Sequence, residues 1–303
     1  MMNLQNIGQL LKQTYTEWSE DKASRLAAAL SYYTALSIAP LLVIVILAVG
    51  LVLGNQDTAR NELLSQIRNV VGTQGAEFIK TVIENANQPS TATLAGLLSL
   101  ATLLWGSTNV FNELQTSLNL IWNVEVKAGR GIWATLKERF LSFTLVLGTG
   151  FLLLVSLVLS AALSVLSDYL ANLLPNGGWA WQLLNFVISF GVITLLFALI
   201  YKILPDAEIA WRDVWLGAAV TALLFTIGKY LLGLYLANAG SAYGAAGSLV
   251  VFLLWVYYSA QIIFFGAEFT QVFATRYGSG IRPAANAVST AALPTANYQE
   301  MRR

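Results

Sequence analysis

The sequence predicts an all-α membrane protein, a polytopic transmembrane bundle of six spans with both termini cytoplasmic. Three observations carry that prediction. Of the 303 residues, 56% are hydrophobic and 11% charged, where a soluble domain carries about 25% charged residues. The mean hydropathy is +0.63. Long apolar stretches recur through the chain, and the lysines and arginines between them fall mostly on one side. A span needs about 20 apolar residues, and Thr34–Leu53, Thr93–Asn112, Phe140–Leu166, Trp181–Leu204, Val214–Leu236 and Ser248–Phe269 satisfy that.

With a cytoplasmic N-terminus, the inner segments hold thirteen basic residues and the outer ones three, Arg60, Arg68 and Lys80. Positive residues favour the cytoplasmic side, so the expectation is N-in and C-in. No early apolar segment resembling a cleaved signal precedes Thr34, because Glu17, Glu20, Asp21, Lys22 and Arg25 intervene. The first span is expected to act as a signal anchor.

Residues 1–22 place Leu4, Ile7, Leu11, Tyr15 and Trp18 on one helical face. That amphipathic pattern predicts a cytoplasmic helix lying in the membrane interface. The bundle proper is expected over 23–277. On the helix that carries the first span, Ala27, Ser31, Ala35 and Ala39 form a small-residue ridge suited to close helix approach, and Pro40 follows it. Between the first two spans, 57–87 reads as an outer helical hairpin, with Gly72-Thr73-Gln74-Gly75 as its break. The second span becomes amphipathic after Trp105, and its helical period continues to Trp122. The segment 278–303 lacks a periodic face and reads as a disordered cytoplasmic tail.

Charge and composition exclude several classes. Net charge is +1, with no histidine and no cysteine. A basic nucleic-acid face, thiol chemistry and the usual metal ligands are therefore missing. No Walker A, nucleophile elbow or metalloprotease motif occurs. No enzyme activity and no cofactor is expected, and the expected partners are membrane lipids.

The polar residues inside the spans are the candidate binding residues. Lys229 lies in the fifth span, about 10 Å from its outer end. It either snorkels to the outer headgroups or faces the bundle interior and binds an anionic group, with Asn185 at similar depth on the preceding span. Near the cytoplasmic mouth, Asn109, Asn112 and Glu113 belong to the second helix. Tyr257, Gln261 and Glu268 form a stripe on the sixth. Either the two carboxylates pair with Arg25, Arg139 or Lys202 to orient helix ends, or they line one vestibule, with carboxyls within about 10 Å.

Four blocks of residues resemble a known family. They are Tyr32-Tyr33 with Ser37 and Pro40; Trp105-Gly106-Ser107 with Asn109, Phe111, Asn112, Gln115, Asn119 and Trp122; Leu204-Pro205; and Trp255 with Tyr257-Tyr258-Ser259-Ala260-Gln261 through Gly266-Ala267-Glu268-Phe269. Together they resemble the YihY/BrkB family of bacterial inner-membrane proteins, over roughly Tyr15 to Tyr277. The resemblance implies a six-helix integral membrane protein linked to serum resistance and to envelope lipid or lipopolysaccharide handling. The label "ribonuclease BN" that the family has carried does not fit a chain without histidine, a metal cluster or a basic face. The preferred reading is translocation of an anionic amphiphile. A non-transporting scaffold for envelope partners is the alternative.

Overall fold

The computed structural model describes residues 4–53, 56–86, 109–127, 178–239 and 246–290. Most of the second predicted span, the whole third span, the loop 240–245 and residues 291–303 lie outside the described residues.

Helix α1 (Leu4–Glu20) opens the chain. It buries Leu10 against Phe269, Val272 and Phe273, while Ile7, Leu11 and Tyr15 remain exposed. Of the face expected in the interface, Ile7, Leu11 and Tyr15 are free, while Trp18 packs on the main core of the bundle. The chain turns at Asp21 and Lys22, and Lys22 takes a positive φ of 54°. Helix α2 (Ala23–Leu53) follows and contains the first predicted span. Its small ridge serves packing: Ala27 and Ser31 are buried, and Ser31 Oγ donates to the Leu253 carbonyl at 2.9 Å.

Helix α3 (Gln56–Ala86) bends sharply at Gly72, where φ is 83° and ψ 174°. Arg60 Nη2 lies 3.5 Å from Glu84 Oε1. Twenty-four residues of straight helix would put them about 36 Å apart, so the two halves fold back on each other. The hairpin expected at 57–87 is therefore present. It wedges its apolar side, including Leu63, Ile67, Phe78, Ile79 and Ile83, against Leu42 of α2 and Phe252 and Val256 further along the chain.

A helical segment, 109–121 (α4), ends at Asn123, which has φ 54°, a conformation that asparagine tolerates better than most residues. Strand β1 (Val124–Val126) follows. Helix α5 (Gly178–Ile203) ends at Leu204-Pro205, since proline cannot continue the hydrogen-bond ladder. Strand β2 (Ala207–Glu208) leads into helix α6 (Trp211–Ala239), and helix α7 (Gly247–Arg276) completes the bundle. Helix α7 is central and touches α1, α2, α3 and α6. Among the described residues, Phe186–Ile203, Trp211–Leu236 and Gly247–Arg276 are long and apolar enough to cross a membrane.

Helices α6 and α7 interlock through glycines. A Cβ at Gly217 would overlap Thr270, and one at Gly266 would overlap Thr221 and the Tyr201 hydroxyl. Such close approach replaces a driving force that apolar helices lack in lipid. Beside it Tyr201 is fully buried, donating to the Ile263 carbonyl at 2.7 Å and crossing Trp122 edge-on at 5.9 Å.

The expected disordered tail is corrected over 278–290. Strands β3 (Arg282–Pro283) and β4 (Ala287–Ser289) pair antiparallel with β2 and β1 respectively. Two small sheets are thus added to the expected all-α bundle. The order comes from long-range pairing, which a periodicity reading cannot see. Ser279 reinforces it by donating through its backbone and hydroxyl to Asp213 Oδ2, each at 2.8 Å.

Candidate functional site

The pairing of β1 with β4 and of β2 with β3 gathers 124–126, 207–208 and 282–289 at one end of the bundle. Helix α1 and the C-terminal end of α7 meet at that same end. It holds Lys12, Lys22, Arg25, Lys127, Lys202, Arg212, Arg276 and Arg282, eight of the thirteen basic residues expected in inner segments. Arg60, Arg68 and Lys80 belong to the hairpin, which packs on α7 through Phe252 and Val256, near the opposite end.

Asp206 is the hub of the basic end, and sequence reading did not single it out. Its Oδ2 accepts from Gln115 Nε2 at 3.0 Å and Asn119 Nδ2 at 2.9 Å. Its backbone N–H donates to Asn119 Oδ1 at 2.8 Å, and Asn286 Nδ2 donates to its Oδ1. The buried carboxylate thereby ties α4, the α5–β2 turn and the tail together. Gln115 and Asn119 were already visible as parts of a motif. Lys202 donates to the Ile209 carbonyl at 2.6 Å and lies 5.9 Å from the Trp211 ring centre, so the ion pair considered for it with Glu113 or Glu268 does not form.

Glu268 is fully buried on α7 (0% exposed). Neither of its carboxylate oxygens meets a hydrogen-bond donor. What faces it is the carboxyl of Asp21, in the α1–α2 turn, with Glu17 of α1 also acting on it. The structure therefore pairs Glu268 with Asp21 rather than with Glu113, Arg25 or Lys202, while Arg139 lies outside the described residues. The turn that carries Asp21 takes the position beside Glu268. Burial raises the Asp21 carboxyl from 3.8 to about 6, with Glu17 and Glu20 adding to the rise and the contact with Glu268 opposing it.

Other candidates fall as follows. Asn109, Asn112 and Glu113 are half-buried on α4, and burial raises the Glu113 carboxyl. Tyr257 packs on the main core, edge-on to Tyr258. Gln261 has its Oε1 buried without a partner. Asn185 is in α5, but its side chain lies outside the described residues. Lys229 is exposed, so the expectation that it faces the bundle interior is corrected. It emerges on the outward face of α6 among Ile227, Tyr230 and Leu231, with Tyr230 70% exposed. Lysine and tyrosine at such a position suit an interfacial belt.

Among the described residues no group of three or more acidic side chains could hold a metal ion. No solved structure matches the chain. Several curated relatives do. The UPF0761 membrane protein of Tolumonas auensis is 30% identical over 258 residues, covering 82% of this chain and 80% of the relative. That of Mannheimia succiniciproducens is 27% identical, covering 85% and 87%. That of Rhodospirillum centenum is 30% identical over 81% of this chain, which spans about half (53%) of the relative's length. The family model described as Virulence factor BrkB matches residues 14–291, nearly the whole helical bundle together with the tail strands, and the chain belongs to that family.

Proposed function

We propose that this membrane protein sits in the bacterial inner membrane as a multi-pass bundle and translocates an anionic, lipid-like envelope molecule. Its basic end and both termini face the cytoplasm, and it acts without cofactor or catalysis. One observation carries the reading: the stripe of Tyr257, Gln261 and Glu268 along α7, in which Gln261 Oε1 is buried without a partner and the buried Glu268 faces another carboxyl. Leaving such an atom unpaired costs about 1–3 kcal/mol. Ionisable and polar groups inside spans mark pathways more often than packing. Lys229 supports the reading in a changed role. On the outward face of α6 its ammonium can meet an anionic headgroup whose tails remain in the bilayer. The broad exposed face of α6, with Leu223, Ile227, Leu231 and Leu234, favours the second reading, a scaffold that docks other membrane proteins.

Reconstitution separates the two. The full chain is placed in phosphatidylcholine vesicles carrying fluorescent phosphatidylglycerol or phosphatidylcholine, and the outer leaflet is bleached with dithionite. Translocation predicts bleaching beyond the outer-leaflet fraction, faster for phosphatidylglycerol. Gln261→Leu is expected to slow it about tenfold, equivalent to one hydrogen bond of about 1.4 kcal/mol lost in the barrier. Lys229→Gln is expected to remove the anionic preference. Bleaching identical to protein-free vesicles leaves the scaffold.

A further inference from the structure

Glu268 presents a problem the fold does not solve by itself. A carboxyl with no exposed surface needs hydrogen bonds or a counter-charge. Among the described residues it has no cationic partner. Lys22 and Arg25, the basic residues flanking the turn, are both exposed. The charged groups that act on the pair are all acids: Glu17 and Glu20 of α1, besides the two members themselves. Two carboxyls facing each other offer only acceptors unless one of them carries a proton. With a proton shared, O–H···O⁻ bonding satisfies both, and such bonds are among the strong ones. Without it, two negative charges meet in a dry site.

The pair also sits at a joint. Asp21 occupies the two-residue turn after α1, and α1 is otherwise held on α7 by Leu10 against Phe269, Val272 and Phe273. We propose that Asp21 and Glu268 form a binding site for one proton, and that the bound proton holds α1 against α7. Loss of the proton releases the α1–α2 turn and lets α1 swing toward the membrane surface, for which Ile7, Leu11 and Tyr15 already present an apolar face. The site does not depend on which molecule, if any, the protein moves.

The direction with pH follows from Asp21, whose carboxyl rises from 3.8 to about 6 in the docked state. The docked state binds the proton more tightly than the released one. Docking is therefore strongest below about 3.8, weakens as the pair loses its first proton near about 6, and is lost when the remaining shared proton leaves at higher pH. Within that window one linked proton changes the docked-to-released ratio by up to about tenfold per pH unit.

The chain is cysteine-free, so a spin-label pair is simple to install. Gly8→Cys on α1 has open space around its Cβ, and Thr275→Cys replaces an exposed residue near the end of α7. Pulsed dipolar distances are measured on the full chain in nanodiscs from about pH 4 to about pH 10, so that both proton losses of the pair fall inside the range. The expected result is a short distance at low pH that gives way to a longer one as pH rises. Glu268→Gln, whose amide donates to Asp21 as the protonated acid would, is expected to stay docked throughout. Asp21→Asn is expected to do the same, which guards against one variant failing to fold. A wild-type distance independent of pH overturns the proposal. So does a transition that survives both substitutions, or one that follows sodium concentration at fixed pH.

Discussion

Asp206 shows how much one carboxylate can organise. It accepts from Gln115 and Asn119 on α4 and from Asn286 in the tail. Hydrogen bonds to a charged group are worth about 1.5–3 kcal/mol each, and their removal strands buried partners. Asp206→Ala is expected to cost about 2–4 kcal/mol in all, because the three bonds are not additive. Thermal unfolding in detergent checks the size, and hydrogen exchange checks the place. Residues 282–289 should lose protection while α5 and α6 keep theirs, and wild-type exchange there would contradict the role. Sequence reading passed over this residue for a physical reason. An aspartate just after Leu204-Pro205 looks like any solvated loop acid, and its partners lie 80 or more positions away. Glu268 was the reverse. Its place on a spanning helix marked it, but the sequence suggested cations as its partners, where the fold supplies Asp21.

At the scale of elements, the hairpin and the tail contrast. The hairpin was legible because glycines interrupt two amphipathic runs, and Gly72 does adopt a backbone that other residues avoid, with φ 83° and ψ 174°. That region is essentially glycine-only and costs about 1–3 kcal/mol for another residue. Gly72→Ala should therefore destabilise the hairpin by that amount. The Arg60–Glu84 pair is partly exposed on both sides, and such pairs are worth about 0–1 kcal/mol, so Arg60→Gln should change little. A disulfide between Arg60→Cys and Glu84→Cys reports closure. Its rate of formation should fall in the Gly72→Ala background, and an unchanged rate would mean that α2 and α7 alone impose the bend. The tail was not legible. Residues 278–290 lack any apolar period, and their order derives from Pro283 meeting Ala207 and Ala287 meeting Val126. No local pattern encodes those partners.

For the whole molecule, the basic bias and the fold make one statement. Strands from 124–126, 207–208 and 282–289 can pair only if those segments share a side of the membrane. They carry Lys127, Arg282 and the approach to Arg212, the same segments that charge alone assigned to one side. The apolar belt of α5 and α6, with Leu183, Phe186, Leu223 and Leu234 exposed, supplies the lipid-facing surface between the two ends. The acid pair, the Asp206 hub and α1 then all belong to one face, and every functional reading rests on that face being cytoplasmic. Membrane-impermeant thiol labelling of intact cells tests it most directly. Gly8→Cys and Ala285→Cys are expected to stay unlabelled until the membrane is opened, and Thr73→Cys in the hairpin is expected to label at once. Labelling of Gly8→Cys or Ala285→Cys in intact cells, with Thr73→Cys protected, would contradict it.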